Sequence, residues 1–274
     1  MLISASSPNG NVMAELTLQI QNANGEVLAE NTGDGKAEIR YLKAYDEGDR
    51  IVLTASHYPI YLFWQVDAAI GCSLCYLTKD MTYPIPFGEK KRVYSPIAFS
   101  GERNFVFARA AEDWEIHAYR NLAFNAADQH RIEGCYPHAD ANVETRGESV
   151  FEAKNAIDGV YGNHGHGNWP YASWGINRDP NACMTLSFGR PVHIDRLGIC
   201  LRADFPHDSY WTEGTVTFSD GSVEVLRFVK TDRTQYFTIA LRTVEWLTFD
   251  KLIKADDESP FPALTQIEVF GTDL

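Results

Sequence analysis

The sequence predicts an all-β protein built as two β-sandwich domains, residues 1–119 and 120–274. Three observations point there. Apolar and polar residues alternate at a period of two almost throughout, turn-forming residues punctuate the chain at short intervals, and no segment presents a helical face longer than two turns. The length of 274 residues also suits two domains of roughly 120 to 150 residues.

In the first domain, Leu16, Leu18 and Ile20 alternate with Thr17, Gln19 and Gln21, and Asn22-Ala-Asn-Gly25 reads as the turn that follows. Gly48-Asp49 turns into Ile51-Val52-Leu53. Ile60, Leu62, Trp64 and Val66 alternate with Tyr61, Phe63, Gln65 and Asp67, a strand covered on both faces. Pro84 and Pro86 are breaks, and Phe105, Phe107 and the run up to Tyr119 predict further short strands.

The second domain repeats the pattern. Met184, Leu186 and Phe188 predict one strand, stopped by Gly189-Arg190-Pro191, and Leu197, Ile199 and Leu201 the next. Val216 and Phe218 pair with Val223 and Val225 across Ser219-Asp220-Gly221-Ser222, a strong hairpin signal. The apolar phase then moves to Leu226 and Phe228, which predicts a bulge. Phe237, Ile239 and Leu241, then Val244 and Trp246, and finally Ile267 and Val269 supply the remaining strands. The segment from about 129 to 182 is rich in Gly, Asn, His and aromatic residues, with weak periodicity. Irregular segments of that length inside compact domains are usually functional.

Charge narrows the partners. Acidic residues number 37 against 24 basic ones, a net charge of −13, and no basic run exceeds Lys90-Lys91-Arg92. Such a surface repels phosphate backbones and anionic bilayers, so no nucleic-acid and no membrane partner is expected. The N-terminus Met1-Leu2-Ile3-Ser4-Ala5-Ser6-Ser7 has neither the basic nor the apolar part of a secretory signal. As written the chain is expected to be cytoplasmic, and extracellular only if a leader had been removed. Five cysteines (Cys72, Cys75, Cys135, Cys183, Cys200) leave one unpaired in any disulfide scheme, and buried reduced thiols are expected.

Three motifs of the second half resemble a known family. Asn121-Leu122-Ala123, Asn155-Ala156-Ile157-Asp158-Gly159 and Gln266-Ile267-Glu268-Val269-Phe270-Gly271 are similar, in that order, to the opening strand, central turn and closing strand of galactose-binding-like (discoidin, F5/8 type C) carbohydrate-binding modules. The resemblance covers residues 119–274. It implies an eight-stranded jelly roll whose end loops bind sugars, with a structural calcium ion beside the central turn. Carried over by position, Asn155, Asp158 and Glu268 are the implied Ca²⁺ ligands, with Asn163 as a fourth, an oxygen-rich set of the kind calcium takes. The sequence departs from the family after Gly159, where Val160-Tyr161-Gly162-Asn163 replaces the usual Asp and Thr. Trp174 is read as the displaced family tryptophan, a core residue.

Sugar binding needs an aromatic face for the C–H side of a ring and fixed polar groups for its hydroxyls. Two stretches hold that mixture: His164, His166, Trp169 and Tyr171, and Arg202, Asp204, His207, Asp208 and Trp211. The expected site has Trp169, Tyr171 and Trp211 as stacking surfaces, Arg202, Asp204, His207 and Asp208 on the hydroxyls, and the two other histidines at the rim. The alternative reading has the aromatics plugging the sandwich ends and Arg202 paired with Asp204 or Asp208. The expected function is non-catalytic carbohydrate binding. Its rivals are a glycan-active enzyme using the Asp/His loop and a structural or assembly protein. Tyr58, Tyr61, Trp64, Tyr76 and Tyr83 read as packing in the first domain, whose outer face leaves a homo-oligomer contact open.

Overall fold

Alternation along the first strand, Glu15–Gln21, puts Leu16, Leu18 and Ile20 at zero exposure on one face, and that face decides where the first core lies. The computed structural model describes residues 14–203 and 209–274. A four-stranded sheet runs in the order Val27–Asp34, Glu15–Gln21, Arg50–Ala55, Met81–Pro84. It faces a five-stranded sheet ordered Cys135–Tyr136, Ser73–Leu77, Ile60–Gln65, Asn104–Ala110, Lys36–Tyr41. Leu62, Trp64 and Tyr83 are buried between them, so the aromatic residues of this half are largely packing.

After Ala110 the expected strands give way to a short helix, Asp113–Ile116. The cause is local. Glu112 and Glu115 cap each other's backbone N–H groups, and Arg109 forks onto Glu115 at 2.6 and 2.7 Å.

The second half wraps a separate core. Its strands are ordered Trp174–Gly175, Ala263–Asp273, Met184–Leu201, Gln235–Lys254, Trp211–Phe218, Val223–Arg227, with His138–Ala141 and Arg120–Asn121 attached to the long members. Two pairs of predicted strands are single long strands here. Met184–Leu201 and Gln235–Lys254 continue through register shifts near Ser187/Val192 and Ile194/Arg196, and both halves of each feed the one core. The predicted bulge after Val225 is absent. The hairpin pairs regularly from Thr217↔Val223 to Glu213↔Arg227, so Val223 and Val225 face solvent while Leu226 and Phe228 are buried. The whole is all-β, as the alternation predicted.

The chain does not keep its two halves apart. Cys135–Tyr136 returns to pair with Ser73–Leu77, carrying Ala127 and Cys135 into the first core. A buried polar cluster also joins them. Asp273, at the end of the last strand, accepts hydrogen bonds from Arg190, Arg120 and Tyr61, the last at 2.9 Å from the first domain. Arg190 in turn lies over the Tyr61 and Tyr76 rings, 5.0 Å from each centroid.

Candidate functional site

The irregular segment past Ala141 is shaped by three short 3-10 turns, Thr145–Gly147, Ser149–Phe151 and Ala153–Ile157, and is tied down by Trp174–Gly175 pairing with Leu264 and Ala263. Gly175 is required there. A Cβ on it would lie 2.7 Å from Thr145 Oγ1 and 3.1 Å from the Phe151 ring. Thr145 Oγ1 itself accepts the Asn177 N–H at 2.9 Å, so turn and strand hold each other.

At this end of the second domain the turns, the 260–263 loop and Arg202 enclose a cleft of about 150 Å³. That is below the roughly 300–1,000 Å³ of clefts for drug-sized ligands and suits a single ring. Phe151, Ile176 and Phe261 form apolar wall, and Arg146, Arg178, Arg202 and His166 bring the ionisable groups. The Arg178 guanidinium sits 4.3 Å over Phe261, and that of Arg146 5.3 Å over Phe151. Arg146 also donates to Glu148 at 2.5 Å. Arg202 is 3% exposed, its backbone N–H donating to Ala263 and its guanidinium to Ser173 Oγ and the Phe261 carbonyl.

The backbone around the cleft is strained. Of six described non-glycine residues with positive φ, three line it: Arg146 at 55°, Asn177 at 49° and Arg178 at 62°. Such conformations cost about 1–3 kcal/mol each, persist where packing over-determines them, and cluster at ligand sites.

The predicted residues divide. Arg202 and His166 meet at the cleft. His164 is exposed, its Nε2 4.0 Å from Asp232. Tyr171 packs its ring on Gly165. Trp169 lies elsewhere, in a cleft of about 80 Å³ between the two halves with Tyr94, Lys154 and Asp158, and its backbone N–H donates to the Arg92 carbonyl. Trp211 corrects the expectation of a stacking surface: it is 1% exposed, in the core, with Trp174 at 6.3 Å and Phe249 at 6.0 Å. The reason is that the strand starts at Trp211 itself, so this residue points inward. Trp174 is core as read, its Nε1 donating to the Val143 carbonyl. Asp204, His207 and Asp208 lie outside the described residues.

The sequence reading missed Arg146, Phe151, Asn177, Arg178 and Phe261. Two signals were there: the turn cluster Asn177-Arg178-Asp179-Pro180-Asn181, and an aromatic residue stiffened between Pro260 and Pro262.

The four implied calcium ligands each have hydrogen-bond partners within the protein. Asn163 donates to the Leu201 and Asp232 carbonyls and to Cys200 Sγ, and accepts from Thr265. Glu268 accepts the Tyr161 hydroxyl. The Asn155 amide donates to the Ser149 carbonyl at 2.8 Å. Asp158 Oδ1 accepts from the Val160 N–H and the Gln266 amide, both at 2.8 Å, and burial pushes its carboxyl up to about 7. Among the described residues no group of three or more His, Cys, Asp or Glu is placed to hold a metal ion. The cysteines are free, with Cys75, Cys135 and Cys200 buried.

No protein-family model matches the chain, and no curated protein matches it. Solved structures similar to it include chitosan-binding module 1 of a chitosanase/glucanase from Paenibacillus sp. IK-5, 18% identical over 55% of this chain and 98% of that one, with a TM-score of 0.39. A lectin-binding domain of lectinolysin complexed with Lewis b is 11% identical over 57% and 99%, TM-score 0.42. The family 32 carbohydrate-binding module of NanJ from C. perfringens, in complex with galactose, is 16% identical over 48% and 91%, TM-score 0.37.

Proposed function

We propose that this chain is a non-catalytic carbohydrate-binding protein that takes one sugar ring of a glycan in the cleft at the end of its second domain. The observation that carries the reading is the cleft's make-up. Phe261, fixed between two prolines, supplies apolar ring surface beside Asn177, Arg178 and Arg202, whose donors suit hydroxyl oxygens. The strained backbone at Arg146, Asn177 and Arg178 fixes those donors before a ligand arrives, which lowers the ordering cost of binding. The three-motif resemblance of residues 119–274 to galactose-binding-like modules supports the same class of ligand.

The first domain acts as a brace in this reading. Its Glu89 accepts the Ser149 N–H at 2.7 Å, holding one of the turns that shape the site, and its Arg92 donates to Asn168 at 2.7 Å in the following loop.

The test is a glycan-array screen of the purified protein, repeated with Phe261→Ala. Binding to a defined glycan set that weakens about tenfold, or roughly 1.4 kcal/mol, in a folded variant is the expected result. Binding to no glycan overturns the reading. Cleavage of a bound glycan, seen as new reducing ends, overturns its non-catalytic part.

A further inference from the structure

The charge in the cleft identifies the ligand more closely, given the reading above. Every ionisable side chain lining it among the described residues is a base: Arg146, Arg178, Arg202 and His166. This concentration stands in a chain of net charge −13. Arg178 is exposed and touches the Phe261 ring, and it makes no ion pair among the described residues. A neutral sugar needs acceptors for its hydroxyl hydrogens as well as donors, and a guanidinium offers donors only. Its planar fork matches a carboxylate or sulfate instead, in hydrogen bonds about twice as strong as neutral ones. We propose that the glycan taken here carries an anionic substituent, a carboxylate or a sulfate, set against Arg178.

The experiment compares sialylated, uronate-containing and sulfated glycans with their uncharged counterparts, for wild type and Arg178→Gln. It is run in about 0.1 M and about 1 M salt, where the screening length falls from roughly 10 Å to roughly 3 Å. The expected result is binding to acidic glycans only, weakened at least about tenfold by the substitution and by salt. The carboxylate and sulfate arms show which acid is preferred. Neutral glycans bound as tightly as their acidic counterparts, with Arg178→Gln silent, overturn this inference and leave carbohydrate binding standing. No glycan bound at all overturns both.

A second inference rests on separate atoms. Three oxygens of the central turn converge on one nitrogen: Gln266 Nε2 lies 2.7 Å from the Asn155 carbonyl, 2.8 Å from Asp158 Oδ1 and 3.2 Å from the Val160 carbonyl. Gln266 Oε1 meanwhile accepts the Gly159 N–H at 2.9 Å, so both ends of the amide are engaged by the turn. A positive charge is also built in. Lys154 Nζ is 3.4 Å from Asn155 Oδ1, 3.8 Å from Glu152 and 5.1 Å over the Tyr94 ring. Backbone carbonyls and a carboxylate closing on one point are what a hard cation takes. The geometry points to the Gln266 amide, with Lys154 supplying charge, standing in the place where a divalent cation would bind this turn, so that the domain needs no calcium.

Thermal unfolding of the wild-type protein with excess CaCl₂ and with EGTA tests this. Superimposable curves, and no heat on titrating Ca²⁺, are expected. A saturable rise in Tm with calcium overturns the inference. Gln266→Glu puts a carboxylate at the same point and is expected to gain a calcium-dependent Tm. If that variant folds and shows no calcium response, the nitrogen does not mark a cation's place.

Discussion

At Gly175 one hydrogen in place of a methyl group holds the cleft open. Gly175→Ala would drive Thr145 away, break its bond to the Asn177 N–H and shift Phe151. We expect a loss of about 1–3 kcal/mol in urea unfolding, as for other overpacked sites. Glycan binding should fall more than in Gly221→Ala, in the 219–222 hairpin turn away from the cleft, where the added methyl meets nothing within 4 Å and only the φ of 83° is strained. Single residues were also where the sequence was hardest to read. Trp169, Trp174 and Trp211 sit in similar polar, glycine-rich surroundings, yet one is half-exposed and two are core. What separates them is whether a strand has started, and a boundary error of one residue inverts the answer. Arg202 was legible because it leaves a well-marked strand. Phe261 and Arg178 sit on short loops whose partners lie far away in sequence, and no local pattern announces that.

Among elements, the strand His138–Ala141 is held to the preceding loop by Asp128, which accepts the Ala139 N–H at 3.0 Å and the His138 ring at 2.8 Å. Burial alone would lower the pKa of His138. The Asp128 carboxylate, helped by Asp140, outweighs it and raises the pKa above the ordinary 6.5. A raised folded-state value means that the folded protein holds the proton more tightly than the unfolded chain. The stabilisation is therefore full below about 6.5 and lost as pH rises through the folded value. Asp158, raised to about 7, acts with the same sign in a lower window, from the ordinary carboxyl range up to about 7. The wild-type urea midpoint should fall from pH 6 to pH 8, and the difference between wild type and His138→Gln should shrink over that interval. A difference that stays constant would show that the pair is not titrating. Strand identity was largely legible from alternation, but strand continuity was not. The breaks at Gly189-Arg190-Pro191 and between Leu241 and Val244 look like turns in sequence, whereas chain passing through a bulge keeps its partner and only changes register.

For the whole molecule, Asp273 is the joint. Its side chain is fully buried, and although burial raises its pKa, Arg190 and Arg120 bring it below the ordinary carboxyl value. Removing one partner of a buried ionic cluster leaves the others unpaired. Asp273→Ala should cost roughly 3–5 kcal/mol, read from denaturant unfolding. Tyr61→Phe removes the hydrogen bond to the same carboxylate together with the one its hydroxyl accepts from Arg190, and should cost about 1.5–3 kcal/mol. The all-β architecture could be read from the period, since each half carries its own apolar alternation and wraps its own core. The joint could not, because Asp273, Arg190, Arg120 and Tyr61 are scattered over 212 positions and meet only when both cores form.

The strand Cys135–Tyr136 has a consequence for anyone who would treat the second half as a portable cassette. A cut at residue 119 would strip the first sandwich of an edge strand and of Ala127 and Cys135, while the excised piece would carry an orphaned ribbon with bare N–H and C=O groups. Grafted onto another protein, that ribbon would seek a new edge to pair with. The unit that can be moved from host to host is therefore the two halves together.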